Sequence, residues 1–362
     1  MQLSFDGSKI RKFYSRNCFT AHAVLYALLF FLPGSASPAQ EAVSNQNGAT
    51  DAPQSITLRH TVEDWSDITL ENSRLKMAAP DLGEVDQEPG YTRERWRVQW
   101  RDMDPIDLYI IKPKGVEKPP VVFYLYSTEM ASKRPYINDG WCQRVTSGGF
   151  AAVGFVPALS EDRFQMRPMK QWFLSELQEA LAETTHDVQM VLKYLEIRND
   201  FDLKHVGVFA TGSGATVAVL AAAADLRIDS LDLVNPWADW PVWLKTTPML
   251  SPIERKDYVT PEFFAKVAPL DPVMWLPTLA QQNVRIQIVD SDVVLEKEAL
   301  AKLEDVAPKN VKVVHYPTQA DHKAANTQGR SFQWVKDRLR PPLAAPTESS
   351  AQAGPPKSAG NP

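Results

Sequence analysis

The first clear pattern along the chain is an alternation of apolar and polar positions that predicts an antiparallel hairpin. In residues 93–101 the side chains of Trp96, Val98 and Trp100 fall on one face, and residues 106–110 repeat the alternation after a short polar turn. A period of two residues on both sides of a turn is typical of paired antiparallel strands. The pattern therefore predicts a hairpin at the edge of a sheet.

Beyond this hairpin, continuous apolar runs alternate with segments of helical spacing. A strand that is buried on both faces shows such a run, because both faces meet other side chains. Buried strands are predicted at 121–125, 149–156, 205–209, 230–234, 284–289 and 311–314, and helices at 139–147, 174–197, 216–224 and 331–339. This order predicts an α/β fold, with an open, mostly parallel central sheet and helices on both faces.

The alternation stops between about residues 241 and 270, where the sequence becomes rich in proline and aromatic residues. One interpretation is a lid-like insertion over the carboxyl edge of the sheet. The other is that the aromatic side chains pack the insertion onto the sheet. If the chain is an enzyme or the relative of one, Trp237, Trp240 and Trp243 are candidates to line a ligand pocket, whereas in a purely structural or interaction protein they are expected to be buried core or partner surface.

Residues 1–39 have the order of a secretory signal peptide. Scattered basic residues precede an apolar run at 23–32, and the small residues Ser37 and Ala39 stand before a cleavage point at Gln40. The run is shorter than the roughly 20 residues of a membrane span, so the mature chain is expected to have no stable span. An uncleaved anchor is the alternative, because the basic leader is long. Both interpretations predict an exported protein, periplasmic or secreted.

The predicted folded domain comprises residues 55–340, with flanking segments of different composition. Residues 40–54 and the Pro/Ala/Ser-rich residues 341–362 carry few large apolar side chains. Such segments bury too little surface to offset the entropy of ordering. We therefore expect a flexible N-terminal segment and a disordered tail.

Composition and cysteine content exclude several classes of function. The formal net charge is −5 and there is no block of basic residues, which argues against nucleic acid as a partner. Cys18 lies in the leader, so Cys142 is the single cysteine of the predicted mature chain and is expected to be buried and structural. No motif has metal-ligand spacing, and residues 212–214 lack the length and the lysine of a phosphate-binding loop. Neither a metal nor a cofactor is expected, and the sequence carries no signal of oligomeric state.

Several segments between residues 106 and 322 resemble, in their order and spacing, the α/β-hydrolase superfamily of dienelactone hydrolases, esterases and prolyl-oligopeptidase-like peptidases. The matching segments are 120–125, 206–209, 235–240 and 271–277. The resemblance implies an α/β-hydrolase fold and, in an active member, a small ester or peptide-like substrate. It also implies a nucleophile, an acid and a histidine in that order along the chain, each after a strand of the sheet.

The turn after the strand at 205–209 admits two registers for the nucleophile. The family's elbow holds its serine in a strained strand-to-helix turn, with small residues two positions on either side. If Gly212 is at the apex, its neighbours at those positions are both small, the backbone keeps its conformation, and the hydroxyl is lost. If Ser213 is the nucleophile, the β-branched Thr211 takes one of those crowded positions. The pattern favours Gly212.

The resemblance also points to candidates for the other two members of a triad. Asp292 is the better match for the acid and Asp290 the alternative, and His322 follows the last predicted strand at the position of the family's loop histidine. A serine hydroxyl becomes a good nucleophile only when a histidine takes its proton and an acid orients that histidine. The second register thus implies the triad Ser213, Asp292 and His322, whereas in the first register the acid and the histidine have nothing to activate.

The loop after the strand at 121–125 departs from the family's pattern as well. Members usually mark this oxyanion-hole loop with His-Gly or a run of glycines, whereas this chain has Tyr-Ser-Thr-Glu-Met at 126–130. Three hypotheses follow. The chain is an exported relative with weak or lost serine-hydrolase activity, an active serine esterase or peptidase, or a non-catalytic binding or interaction protein of the cell envelope.

Overall fold

A computed structural model describes residues 62–128, 131–160, 163, 174–327 and 330–339. These residues belong to one compact unit. The predicted signal peptide, the segment 40–54 and the tail 341–362 lie outside the described residues. Within the described part, no helix combines the length and the apolar character needed to cross a membrane.

The described residues contain one sheet of nine strands in the order β1-β2-β3-β5-β4-β6-β7-β8-β9. The first three strands and the β3–β5 pair are antiparallel, and the remaining pairs are parallel. The strands are β1 Asp81–Gln87, β2 Tyr91–Val98, β3 Ile106–Pro113, β4 Pro120–Leu125, β5 Ala151–Phe155, β6 Asp202–Thr211, β7 Ile228–Val234, β8 Asn283–Val289 and β9 Lys312–Tyr316. The predicted hairpin is β2–β3, and the expectation of a mostly parallel sheet with a leading antiparallel part is confirmed.

Helices connect the parallel strands and lie on both faces of the sheet, as predicted. They are α1 Arg134–Ile137, α2 Asp139–Thr146, α3 Leu177–Arg198, α4 Ser213–Ala224, α5 Trp240–Thr246, α6 Pro252–Tyr258, α7 Pro261–Val267, α8 Pro272–Trp275, α9 Lys297–Val306, α10 Gln319–Ala325 and α11 Gln333–Leu339. The sequence pattern missed β1 and the helices α1 and α5 to α10. These elements are all short, and β1 is exposed along most of its length, so it shows no apolar run.

The two faces of the sheet carry separate cores, and strand periodicity explains the division. Side chains of β4 alternate, so Val121 and Phe123 enter the core under α3 and α4, while Val122 and Tyr124 enter the core under α2 and α11. On the second face α11 lies very close to the sheet. A Cβ added at Gly207 would come within 2.6 Å of Val335, so the close approach requires glycine at this position. Cys142 is buried in this second core, as expected.

Helices α5 to α7 form the aromatic-rich insertion after β7. Trp237, Trp240 and Trp243 are almost fully buried, and the rings of Trp237 and Trp243 stack with centroids 4.7 Å apart. These tryptophans belong to the core cluster that also contains side chains of α4 and β8. Their burial fits the interpretation in which the aromatics pack the insertion onto the sheet.

A network of buried charges joins α3 to the segment before β1 and to the β2–β3 turn. Arg101 donates to both carboxylate oxygens of Glu63, at 2.5 and 2.6 Å, and also binds Asp187. Arg163 donates to Asp104 at 2.6 Å and to Asp187 at 2.9 Å. Buried carboxylates are stable when paired with cations and hydrogen-bonded. With Arg163, which follows β5, the network therefore connects four chain segments that sequence periodicity does not link.

His186 extends this network to the segment before β1. Its Nδ1 lies 2.5 Å from Glu63 Oε1, and its Nε2 lies 2.8 Å from the carbonyl oxygen of Asp67. His186 thus ties α3 to the segment before β1 through both of its ring nitrogens.

We expect acid to destabilise the protein partly through Glu63. Burial alone would raise the pKa of this carboxyl, but the charge of Arg101 and the hydrogen bonds from Arg101 and His186 outweigh it and lower the pKa from 4.5 to about 2. A carboxyl with a lowered pKa stabilises the fold above its unfolded value and loses that contribution as the pH falls through the folded value. Stability should therefore decline between about pH 5 and pH 2.

Urea unfolding at a series of pH values tests this expectation. Glu63→Gln should show a shallower loss of unfolding free energy in acid than the parent chain, and Glu84→Gln, at an exposed position on β1, should follow the parent. Parallel acid profiles for Glu63→Gln and the parent would contradict the assignment.

Candidate functional site

The carboxyl ends of β4, β6, β7 and β8 meet at one edge of the sheet. These strands are parallel neighbours, with Leu125 opposite Ala210 and Thr211 opposite Val234. In open parallel sheets, sites form in the loops that follow the carboxyl ends of strands. The loops that contain Ser127, Gly212 and Asp292 all lie along this edge.

Gly212 occupies a sharp turn between β6 and α4. Its backbone has φ +53° and ψ −124°, and α4 begins at the next residue. Residues with a Cβ are strained in this region, whereas glycine is not. A Cβ added at Gly214 would lie 2.7 Å from the carbonyl oxygen of Leu125, so helix and strand approach too closely for a larger residue. The turn needs small residues, as the elbow pattern requires.

The space above Gly212 is filled by Ser127 from the loop after β4. A Cβ at Gly212 would lie 2.3 Å from Ser127 Oγ and 2.7 Å from Ser127 Cβ, far inside van der Waals contact. Ser127 Oγ also accepts a hydrogen bond from the backbone N–H of Ser213 at 3.1 Å. The position that a side chain at the apex would take is therefore occupied by a buried serine from another loop.

The hydroxyl of Ser213 is directed at the same loop. Ser213 is 3% exposed, and its Oγ accepts from the backbone N–H of Thr128 at 2.9 Å. The hydroxyls of Ser127 and Thr128 each lie 3.2 Å from it. In this arrangement the Ser213 hydroxyl ties the first turn of α4 to the loop after β4.

Two backbone N–H groups at an oxyanion-hole position already have partners. An oxyanion hole uses the N–H of the residue after the nucleophile and another from the loop after the equivalent of β4. With Gly212 at the apex, the first is the N–H of Ser213, which donates to Ser127 Oγ, and the N–H of Thr128 donates to Ser213 Oγ. An oxyanion would have to displace these internal hydrogen bonds.

Asp292, the predicted acid, lies in the turn after β8 and is held by two partners. Its Oδ2 accepts from Asn235 Nδ2 at 2.7 Å, and its Oδ1 accepts from the backbone N–H of Val294 at 2.9 Å. Asn235 has a positive φ of 50° after β7, and its Oδ1 accepts from Val289 N at 2.8 Å. The carboxylate thus connects the loops after β7 and β8.

Asp290, the alternative acid, pairs with a different histidine from the one expected. Its Oδ1 lies 2.9 Å from His315 Nδ1, and both side chains are about half exposed. This hydrogen bond raises the pKa of His315, and Glu304 acts in the same direction. The pair is a surface ion pair at the β8–β9 edge.

His322 lies on the short helix α10, although the resemblance implied a loop. Its Nε2 is buried without a hydrogen-bond partner among the described residues, and its ring packs edge-on against Tyr316 at a centroid distance of 5.0 Å. Burial lowers the pKa of His322, and the nearby charge of Arg285 lowers it further. Both effects favour the uncharged form of the imidazole.

Ser213 and His322, two of the predicted triad residues, border different cavities. Ser213 borders a small apolar cavity of about 20 Å³ with Leu177 and Trp237, which has room for about one water. His322 borders an open groove between α2 and α10, and the described lining residues of the two do not overlap. Among the described residues, no hydrogen bond joins Ser213, Asp292 and His322. The triad remains a prediction.

Sequence reasoning missed Ser127 and Asn235, the two residues that contact these candidates most directly. Ser127 is 86 residues from Ser213 along the chain, and Asn235 is 57 residues from Asp292. No local sequence pattern predicts that a loop serine or an asparagine before a proline will make such distant contacts. Within the described residues, no group of three or more His, Cys, Asp or Glu side chains is placed to hold a metal ion.

Comparison with known proteins supports the fold. No family model matches the chain, and no curated protein sequence matches it. Acetyl xylan esterase from Paenibacillus sp. R4 has a TM-score of 0.56 at 13% identity over 80% of this chain and 95% of that chain. S-formylglutathione hydrolase from Agrobacterium tumefaciens has a TM-score of 0.52 at 14% identity, over 72% of this chain and 100% of that chain. Acylaminoacyl peptidase from Pyrococcus horikoshii has a TM-score of 0.51 at 13% identity, over 68% of this chain and 40% of that chain. Together with the sheet order and the turn at Gly212, these similarities show that the chain has the α/β-hydrolase fold.

Proposed function

We propose that this chain is an exported α/β-hydrolase-fold protein whose serine chemistry is weak or lost, because Gly212 takes the position of the nucleophile. The observation that carries the proposal is the backbone of Gly212, with φ +53° at the apex of the turn between β6 and α4, directly beneath Ser127. The order of basic, apolar and small residues in 1–39 supports export.

The chemistry of the turn supports the same proposal. Acyl transfer in this fold needs a hydroxyl at the apex, a base within hydrogen-bond reach and free oxyanion donors. The apex residue here has no side chain, and the N–H groups of Ser213 and Thr128 are engaged with hydroxyls. The adjoining cavity of about 20 Å³ has room for about one water molecule and is too small for an ester or peptide substrate.

An active serine hydrolase that uses Ser213 is the alternative. For that reaction, the Ser213 hydroxyl would have to leave the Thr128 N–H and meet the imidazole of His322. The carboxylate of Asp292 would have to exchange Asn235 for that imidazole. The solved structures of similar fold include esterases and a peptidase. The experiment below therefore tests directly for an activated serine.

We expect the purified protein not to react with a fluorophosphonate probe. Such probes label serines whose hydroxyl is activated by a neighbouring base, and no described histidine hydrogen-bonds to Ser213 or Ser127. Labelling is followed by intact mass and by mapping any adduct to a peptide, with an active serine esterase as a positive control.

The matched variants for this experiment are Ser213→Ala, Ser127→Ala and His322→Ala. An adduct on Ser213 that disappears in Ser213→Ala and weakens in His322→Ala would overturn the proposal in favour of the active hydrolase. An adduct on Ser127 would overturn it as well, because it would mean that the nucleophile had moved to the loop after β4.

A further inference from the structure

A second concave site lies on the opposite face of the sheet from the Ser213 cavity. It is an open groove of about 900 Å³ between α2 and α10, a volume at the upper end of the range for small-molecule sites. Its walls follow helical spacing, with Gly140, Gln143 and Arg144 on one side and Gln319 and Lys323 on the other. Each helix therefore presents one polar stripe to the groove.

The charges that face the groove are positive. Arg144 and Lys323 line it, and neither has a carboxylate within ion-pair distance among the described residues. The acidic residues of the two helices are engaged elsewhere, since Asp139 binds Tyr91 and Arg93, and Asp321 caps its own helix through Thr318. No described acidic side chain lines the groove, so it favours an anion.

A buried lysine adds to the positive potential at one end of the groove. Lys336 is 2% exposed, and its Nζ donates to the carbonyl oxygens of Arg144 and Ser147 at 2.8 and 3.0 Å. It therefore places a charge beneath the C-terminal end of α2, next to the Arg144 side of the groove. Charged groups along a cleft raise the local concentration of ligands of opposite sign.

The neutral residues of the groove supply hydrogen-bonding groups of both kinds. The side-chain amides of Gln143 and Gln319 are exposed and make no hydrogen bond to the described residues. Each amide both donates and accepts, as the hydroxyl groups of a ligand also do. An arginine guanidinium binds a carboxylate or phosphate through two parallel hydrogen bonds, and a lysine binds either group as a point charge.

We propose that the groove between α2 and α10 binds a small, hydroxyl-rich anion whose carboxylate or phosphate group is held by Arg144 and Lys323. The ligand class is that of sugar acids and sugar phosphates. Binding there involves neither Gly212 nor Ser213, because the residues that line the groove and the Ser213 cavity do not overlap. The proposal therefore stands or falls independently of the proposed loss of serine chemistry.

Isothermal titration of the full chain with glucuronate, glucose 6-phosphate and glucose tests this site. We expect saturable binding of at least one anion and no binding of the uncharged glucose, and the preferred anion identifies the acidic group. Arg144→Ala and Lys323→Ala should each weaken binding roughly tenfold, as the loss of one charge-assisted hydrogen bond predicts. Lys193→Ala, at an exposed position on α3, should leave the affinity unchanged.

Thermal melts of all three variants check that they fold. We expect folded variants, because Arg144, Lys323 and Lys193 are exposed. The proposal is overturned if neither anion binds the parent chain at millimolar concentration, or if glucose binds as well as the anions do. It is also overturned if Arg144→Ala and Lys323→Ala both bind with parental affinity while remaining folded.

Discussion

Gly212→Ala is expected to lower the free energy of unfolding by about 3 kcal/mol, although it adds a single methyl group. Two costs combine. A residue with a Cβ pays roughly 1–2 kcal/mol at positive φ, and overpacking a closed site costs about 1–3 kcal/mol. The added Cβ would lie 2.3 Å from Ser127 Oγ, which is buried and held by the Ser213 N–H and so has little freedom to move away.

Two control substitutions separate the backbone cost from the clash. Gly115 also has a positive φ, +80°, but nothing lies within 4 Å of its Cβ direction, so Gly115→Ala should show only the backbone cost. In a Ser127→Gly background, Gly212→Ala should cost at least about 1 kcal/mol less than in the parent chain, which is the coupling expected of residues in contact. Chemical denaturation of the four variants measures all three quantities.

If Gly212→Ala costs no more than Gly115→Ala, Ser127 does not crowd the apex of the turn. The proposed function would then lose its steric support, since a serine could occupy position 212 without rearranging the loop after β4. A large coupling energy between positions 127 and 212 would instead mean that Ser127 fills the space that a side chain at position 212 would need. Regaining a nucleophile would then require changes in both loops.

Arg101→Met is expected to destabilise the protein by about 3–5 kcal/mol, the cost of breaking a buried ion pair from one side. The substitution keeps a long side chain but removes the cation that Glu63, Asp187 and Glu183 share. Asp187 keeps its ion pair with Arg163, but Glu63 and Glu183 lose the arginine they pair with. Removing a counter-charge from a buried carboxylate costs far more than losing an exposed ion pair on a protein surface.

Arg97→Met is the matched control for this substitution. Arg97 is 59% exposed and pairs with Asp107 at 3.6 Å, so its loss should cost less than about 1 kcal/mol. The double variant Arg101→Met/Glu63→Gln should recover part of the loss, because it removes one of the stranded charges. Equal denaturation midpoints for Arg101→Met and Arg97→Met would contradict the importance of the network.

The strand pattern was predictable from the sequence to a large extent. β4 and β5 are buried on both faces and read as continuous apolar runs, and β2 and β3 alternate as a hairpin should. The strand β1 was not predicted, because a strand exposed on both faces has no hydrophobic periodicity. The helix α10 was missed for a similar reason, since none of its residues is buried.

The site was predictable only as a set of positions. The turn at Gly212 could be predicted, because the close approach of strand and helix requires small residues around it and these are visible in the sequence. Nothing local indicated that Ser127 would fill the space above it, or that Asn235 would hold the carboxylate of Asp292. Both contacts depend on the conformations of loops that lie far apart along the chain.

The sequence by itself determined the α/β order of the elements, the mostly parallel sheet, and the chain order of the candidate nucleophile, acid and histidine. Hydrophobic periodicity is a local property, and each strand or helix displays it wherever it lies in the fold. Only the tertiary structure decided which side chains meet, including Glu63 with His186 across 123 residues. It also placed Ser213 and His322 beside different cavities. Such contacts are set by packing between distant segments, which periodicity does not encode.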